Sequence, residues 1–299
     1  MREDRIVSWS GTASDVVEGS TSIAVNGNNV TASIQTRDGL LRIRPLSNGL
    51  HALIKVDMGR LPAEHPPSFN EKNRDRQDIP PFQRKLETDT STTTISVLVA
   101  YTPAVQKKIA DVKGLVQLAF TEANQSYKNS NIYINLTPAP ADPVLVNYTE
   151  AGSQDADLAA FVKMTDIQQI RAANKSNVAV LLIDDGSFCG LAQQILATRD
   201  SAFAVVYHDC ATGYYSFGHE IGHLQGARHN PEMDNSTSPF SYGHGFMDSV
   251  RKRRTIMSYD CPGGCTRMPQ WARPTDWGNT AISYDAKVLN ETAIYVSKF

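Results

Sequence analysis

The sequence predicts a mixed α/β (α+β) protein in two parts, a small all-β module followed by a larger domain in which strands and helices alternate. Three observations lead there. The first sixty residues alternate apolar and polar positions between turn signals, residues 61–93 lose apolar periodicity, and from residue 93 a strand of buried type runs into a long helical pattern. With 299 residues, 41% hydrophobic and 20% charged, the chain is long enough for one large core and a smaller companion.

In the first part, the turns NGNN (26–29), RDG (37–39) and SNG (47–49) separate STSIAV, VTASIQT, LLRIRPL and LHALIKVD. That is the pattern of antiparallel hairpins, and it defines a β-rich N-terminal domain over 1–60. Residues 61–93, rich in prolines and charges, are expected to form an exposed linker. The third part, 94–299, opens on the strand TTISVLVAYT (93–102) and a helix over 104–129, whose Val105, Ile109, Val112, Val116, Leu118 and Phe120 recur at helical spacing. Further strands are expected at 132–138, 142–149, 178–184 and 202–208, with helices near 155–163 and 166–174. On a final helix, Ile282, Ala286, Leu289, Ala293 and Val296 would share one face.

A formal net charge of −2 provides no electrostatic basis for binding nucleic acid or an anionic membrane. The longest apolar run, VAVLLI at 178–183, is far short of a membrane span, and the charged start MREDRIVSWSG does not read as a signal peptide. A signal was therefore either removed or never present. The four cysteines, at 189, 210, 261 and 265, lack the paired CxxC spacing of a structural zinc site. Two disulfides fit better, and with them an oxidising extracellular or periplasmic location. Of three possible connectivities, Cys189–Cys210 and Cys261–Cys265 close the shorter loops; the alternative is four reduced, buried thiols.

Chemistry concentrates in HEIGHLQGARH (219–229). A helix over 212–226, capped by Thr212 and ended by Gly226, sets His219 and His223 one turn apart on one face, where both can reach one ion. Glu220 lies beside them at another angle, which suits a base that deprotonates metal-activated water without coordinating the metal. Gly226 allows a sharp turn that returns His229 as a third nitrogen. Three protein ligands leave one position open, the mark of a catalytic zinc site.

The spacing HExxHxxGxxH together with TIMSY (255–259) resembles the metzincin zinc metalloendopeptidases. The resemblance covers roughly 94–299 and implies a twisted, mixed five-stranded sheet, with the active-site helix by the cleft and an irregular C-terminal part ending in a helix. It implies His219, His223 and His229 as zinc ligands, Glu220 as general base and Met257 as an apolar floor beneath the metal. Tyr259 matches the tyrosine that astacins and serralysins carry after this turn, and would stabilise the transition state. Asn230, after the third histidine, departs from the main branches. The contexts CGLA (189–192), DCATGYYSFGHEIGH and YGHGF (242–246) are most similar to bacterial reprolysin-like enzymes, including the peptidyl-Asp metalloendopeptidase family. That family cleaves before aspartate, which requires a cation in the pocket. Arg267 and Arg273 are the candidates, with RKRR (251–254) preceding the turn; each taken singly is most simply a solvated loop charge.

The expectation from these features and the resemblance is a monomeric, secreted zinc protease acting on proteins or peptides. The alternatives are a catalytically silent zinc- or peptide-binding protein, to which Glu220 would be of no use, and a zinc amidase acting on cell-wall peptides. The cysteine-free N-terminal region excludes a cysteine switch but suits a propeptide. In AEHPP (63–67), Glu64 and His65 could plug the fourth zinc position, while Asp75, Asp78 and Asp89 offer sites for self-processing. His208 and His244 lack ligand spacing and are expected to be structural.

Overall fold

The computed structural model describes residues 6–12, 20–65, 78–80, 86 and 88–299; Asp75 lies outside them. Strands β1 (Val7–Gly11), β2 (Thr21–Asn26), β3 (Asn29–Thr36), β4 (Gly39–Pro45) and β5 (His51–Lys55) form one antiparallel sheet in sequential order. The hairpins thus lie where the turn signals place them, and β1 is an added edge strand. Alternation puts Ser22 and Ala24 of β2 on the buried side, with Leu40 and Arg42 of β4. That side faces the remainder of the chain, where Arg42 reaches the carbonyls of Asp209 and Thr212.

The second sheet is built around β6 (Thr93–Tyr101), β7 (Ile134–Pro138), β9 (Val178–Ile183), β10 (Gly190–Ala192) and β11 (Phe203–Tyr207), with the two-residue β8 (Val144–Leu145) beside β6. Its order is β10-β11-β9-β6-β7, parallel except for the antiparallel edge strand β10. Strand β9 is buried along its whole length because both faces are covered. Val178, Val180 and Leu182 pack with α2 (Val112–Asn129), α5 (Ser216–Gln225) and α6 (Asp285–Val296). Ala179, Leu181 and Ile183 pack with α3 (Gln154–Lys163) and α4 (Thr165–Ala173). Short strands β12 (Met247–Asp248), β13 (Arg253–Arg254) and β14 (Thr266–Arg267) form a small sheet beyond α5.

Several expectations are corrected. The helix over 104–129 is two helices, α1 (Pro103–Lys108) and α2, because the Asp111 carboxylate accepts from Gly114 N (2.9 Å) and restarts the helix there. Thr212 does not cap α5. Its hydroxyl instead accepts from Arg44 (2.7 Å), and α5 begins after Tyr215, which is left-handed at φ 66°. Ile282 precedes α6 and is exposed, while Ala286, Leu289, Ala293 and Val296 are buried as expected. The 61–93 stretch is not exposed throughout, since Glu64, His65 and Ile79 are buried. Disulfides join Cys189 to Cys210 and Cys261 to Cys265. Among the described residues, no helix is long and apolar enough to cross a membrane.

Candidate metal centre and active site

All ten residues of α5 are buried. The helix passes this deep because glycines remove side chains where neighbours press closest. A Cβ on Gly222 would lie 2.6 Å from the Trp271 ring and 3.2 Å from Met257 Sδ, and one on Gly245 would lie 2.9 Å from Met257 Cβ. Met257 is thereby held against α5. At the other end Gly226 takes φ 109° and ends the helix, as its position in the sequence suggests.

The chain then returns His229 to His219 and His223. Their three Nε2 atoms converge, 3.1 Å from His219 to His223, 3.1 Å from His223 to His229 and 3.2 Å from His219 to His229. In His219 and His223 the Nε2 is held facing the centre because Nδ1 is anchored elsewhere. His219 Nδ1–H donates to the Ile256 carbonyl (2.9 Å) and His223 Nδ1–H to that of Ala227 (2.9 Å). Around the third histidine, His244 lies between the carbonyls of His229 (2.8 Å) and Ser236 (2.9 Å). Asn230 Oδ1 accepts from Tyr259 N (2.9 Å), tying the loop that carries His229 to the Met257 turn.

This donor set fits a tetrahedral metal ion. Nitrogens about 2.0–2.1 Å from zinc stand about 3.4 Å from one another, close to the spacing seen. Burial first, then the charge of neighbouring rings and of Arg267, holds His219 well below the usual imidazole range; burial also lowers His223 and His229. Three neutral rings aiming lone pairs at one point suit a cation. Both carboxylate oxygens of Glu220 are buried without a hydrogen-bond partner, and burial raises this carboxyl to about 7 against the opposing pull of His65. Space for it depends on Gly190, where a Cβ would lie 2.6 Å from Glu220 Oε1.

Residues from the N-terminal side complete the cluster. His65 Nε2 joins the three histidines, their ligand atoms all within 4.8 Å of one another, and stands 3.7 Å from Glu220 Oε2. Tyr259 packs edge-on to His229 (4.7 Å between centroids) and donates its hydroxyl to the His65 carbonyl. Burial pushes its phenol upward, so the hydroxyl keeps its proton. Arg267 is buried and pairs with the Glu64 carboxylate, whereas Arg273 pairs by its backbone with Trp277. Among the described residues, Arg273 makes no hydrogen bond or ion pair to Glu64 or the histidines. Of RKRR, Arg251 and Lys252 are exposed and Arg253 and Arg254 buried. His208 sits apart, 2.8 Å from Asp184.

A buried cup of three neutral histidines with a carboxylate beside it, on a helix under a mixed sheet, defines a metal-dependent hydrolase. Residues 91–271 match the profile Reprolysin_5, Metallo-peptidase family M12, and the chain belongs to that family as a metalloendopeptidase. It is 42% identical over 285 residues to a peptidyl-Asp metalloendopeptidase of Stenotrophomonas maltophilia (strain R551-3), covering 91% of this chain and 67% of the relative. The enzyme of the same name from Pseudomonas fragi is 38% identical over 178 residues, 59% of this chain and 95% of that one. In fold, the chain resembles the crystal structure of metalloproteinase-II from Bacteroides fragilis at TM-score 0.50 and 13% identity, over 90% of this chain and 79% of that one.

The roles of Asn230 and Gly190 were not legible beforehand. Asn230 stood out in the sequence only as a departure, and Gly190 as part of CGLA. Neither carries a local spacing that announces its partner.

Proposed function

We propose that the protein is a secreted zinc endopeptidase that cleaves peptide bonds before aspartate, with residues 94–299 as the protease and 1–60 as a propeptide joined through 61–93. The convergence of three neutral, buried imidazoles beside a buried Glu220 carboxylate that makes no hydrogen bond carries this reading. His219, His223 and His229 would hold the metal. Zinc bound there would act as a Lewis acid, polarising the scissile carbonyl and lowering the pKa of the attacking water. Glu220 takes the proton of that water and returns it to the leaving amine. The Tyr259 hydroxyl donates to the carbonyl oxygen as negative charge develops there. Met257 packs under the ligand helix and keeps the cup rigid. The relatives' name supports the aspartate preference, and two disulfides support an oxidising location.

A cleavage profile on a peptide library, repeated with chelator and with Glu220→Ala, tests the reading. Cuts on the amino side of aspartate that vanish in both controls support it; cuts that survive Glu220→Ala overturn the assigned base. Tyr259→Phe should lower kcat more than it changes KM.

A further inference from the structure

The N-terminal segment reaches the site with two side chains, and each meets a different need. Arg267 donates to the carbonyls of Ile256 (2.9 Å) and Tyr214 (2.8 Å) and lies over the Tyr214 ring, 4.8 Å from its centroid. Those partners satisfy hydrogen bonds but carry no charge. The only carboxylate paired with it among the described residues is Glu64, whose Oε1 also accepts from Ser216 Oγ (3.0 Å). A buried guanidinium left without its counter-ion is costly, so a pocket emptied of Glu64 selects another carboxylate. The other Glu64 oxygen is buried without a hydrogen bond and lies 3.9 Å from His219 Nε2, which places the carboxylate directly beside the metal cup.

His65 follows immediately and brings a fourth buried imidazole nitrogen to that cup. The segment is not presented for cleavage. The Ala63 carbonyl, which precedes Glu64 and would be the one attacked, accepts instead from Cys189 N (2.9 Å) beside edge strand β10. The side chain of His65 thus lies where a scissile carbonyl would have to enter, and Tyr259 is engaged by the His65 carbonyl.

We propose that Glu64 and His65 form a two-point inhibitory latch: Glu64 fills the pocket in which Arg267 recognises the acidic side chain of the substrate, and His65 closes the metal as its fourth nitrogen ligand. The inference rests on reading the site as a metallopeptidase that prefers aspartate, and it assigns that preference to Arg267, not Arg273. Release then requires both points to be vacated, after which the emptied Arg267 pocket and the open metal position receive one substrate together.

The full-length chain loaded with cobalt(II) reads the metal half without turnover. A tetrahedral four-nitrogen visible spectrum is expected, weakening and shifting in His65→Ala and returning when imidazole is added. A spectrum indifferent to His65→Ala overturns the ligand assignment. For the pocket half, Glu64→Gln and Glu64→Ala in the zinc-loaded full chain should raise cleavage of an Asp-containing peptide by about tenfold or more, as a competing occupant is weakened. N-acetyl-aspartyl amide should inhibit these variants and its asparaginyl counterpart should not. Equal inhibition by both, or an unchanged rate in folded variants, overturns the pocket assignment. If no variant with full metal content cleaves any peptide, the peptidase reading fails, while the cobalt spectrum still decides whether His65 ligates.

Discussion

Strand β9 buries all six of its side chains, whereas no strand of the N-terminal sheet buries more than three. The difference extends to what each sheet packs against. The catalytic sheet is covered on both faces by apolar helix surfaces. The N-terminal sheet meets α2 and the loop before α5 largely through polar groups. Arg42 donates to the Asp209 (2.7 Å) and Thr212 (3.0 Å) carbonyls, Asn26 to the Asp111 carboxylate (2.8 Å), and Ser20 pairs with the Tyr215 hydroxyl (2.9 Å). Polar partners can exchange one another for water, while an apolar core cannot be opened without exposing oily surface. The first arrangement suits a part that leaves, the second a part that stays.

If this division holds, damage on the two sides should separate. Glu220→Gln should cut kcat by about 10²–10⁴-fold, the usual worth of a positioned base, while metal content and the melting curve stay near those of the parent. A matching loss of stability would mean the carboxylate also holds the fold. Arg42→Ala, on the other side, removes the ion pair to Asp209 (3.6 Å) and leaves two carbonyls without their donor, and should cost about 1–3 kcal/mol of docking. Faster hydrogen exchange confined to β2–β4 would show it, and an equal loss across β9 would erase the contrast.

Glu122 sharpens the comparison through pH. Burial raises its carboxyl from 4.5 to about 7, against the hydrogen bond from Gly213 N (2.7 Å) and the charges of Arg44 and Arg42. Since the folded value is above the unfolded one, its contribution is fully present below about 4.5 and lost as pH rises through about 7. Urea titrations should therefore show stability falling by about 1–3 kcal/mol across that window, and Glu122→Gln should flatten the dependence. The smallest effect is expected at Gly190. An alanine there presses on Glu220 Oε1 and should lower kcat by about tenfold with little change in stability, since a displaced base costs rate first.

Much of the molecule could be read from local pattern. The hairpin turns, the strand at 178–184, the helix end at Gly226 and the two short disulfide loops each depend on residues close in sequence, and the structure has them there. Where long-range packing competes with local preference, expectation fails. The helix over 104–129 breaks at Asp111, whose carboxylate caps α2 and also holds Asn26 of the N-terminal sheet. Thr212, a good cap on paper, is drawn to Arg44 instead. The 61–93 stretch has the composition of a solvated linker, yet Glu64 and His65 are buried against the histidine cluster.

The histidine triad shows the limit of what local order decides. Helical spacing alone brings His219 and His223 to one face, and a glycine turn brings His229 within reach, because backbone geometry over eleven residues fixes those distances. No such rule connects Glu64 to Arg267, which are 203 positions apart, or Tyr259 to the His65 carbonyl, 194 positions apart. Those contacts exist only once the two sheets have packed and excluded water, so that a buried guanidinium must find a carboxylate and a metal cup a fourth nitrogen. The histidine cluster is written in a local motif; what packs against it is chosen by the tertiary fold.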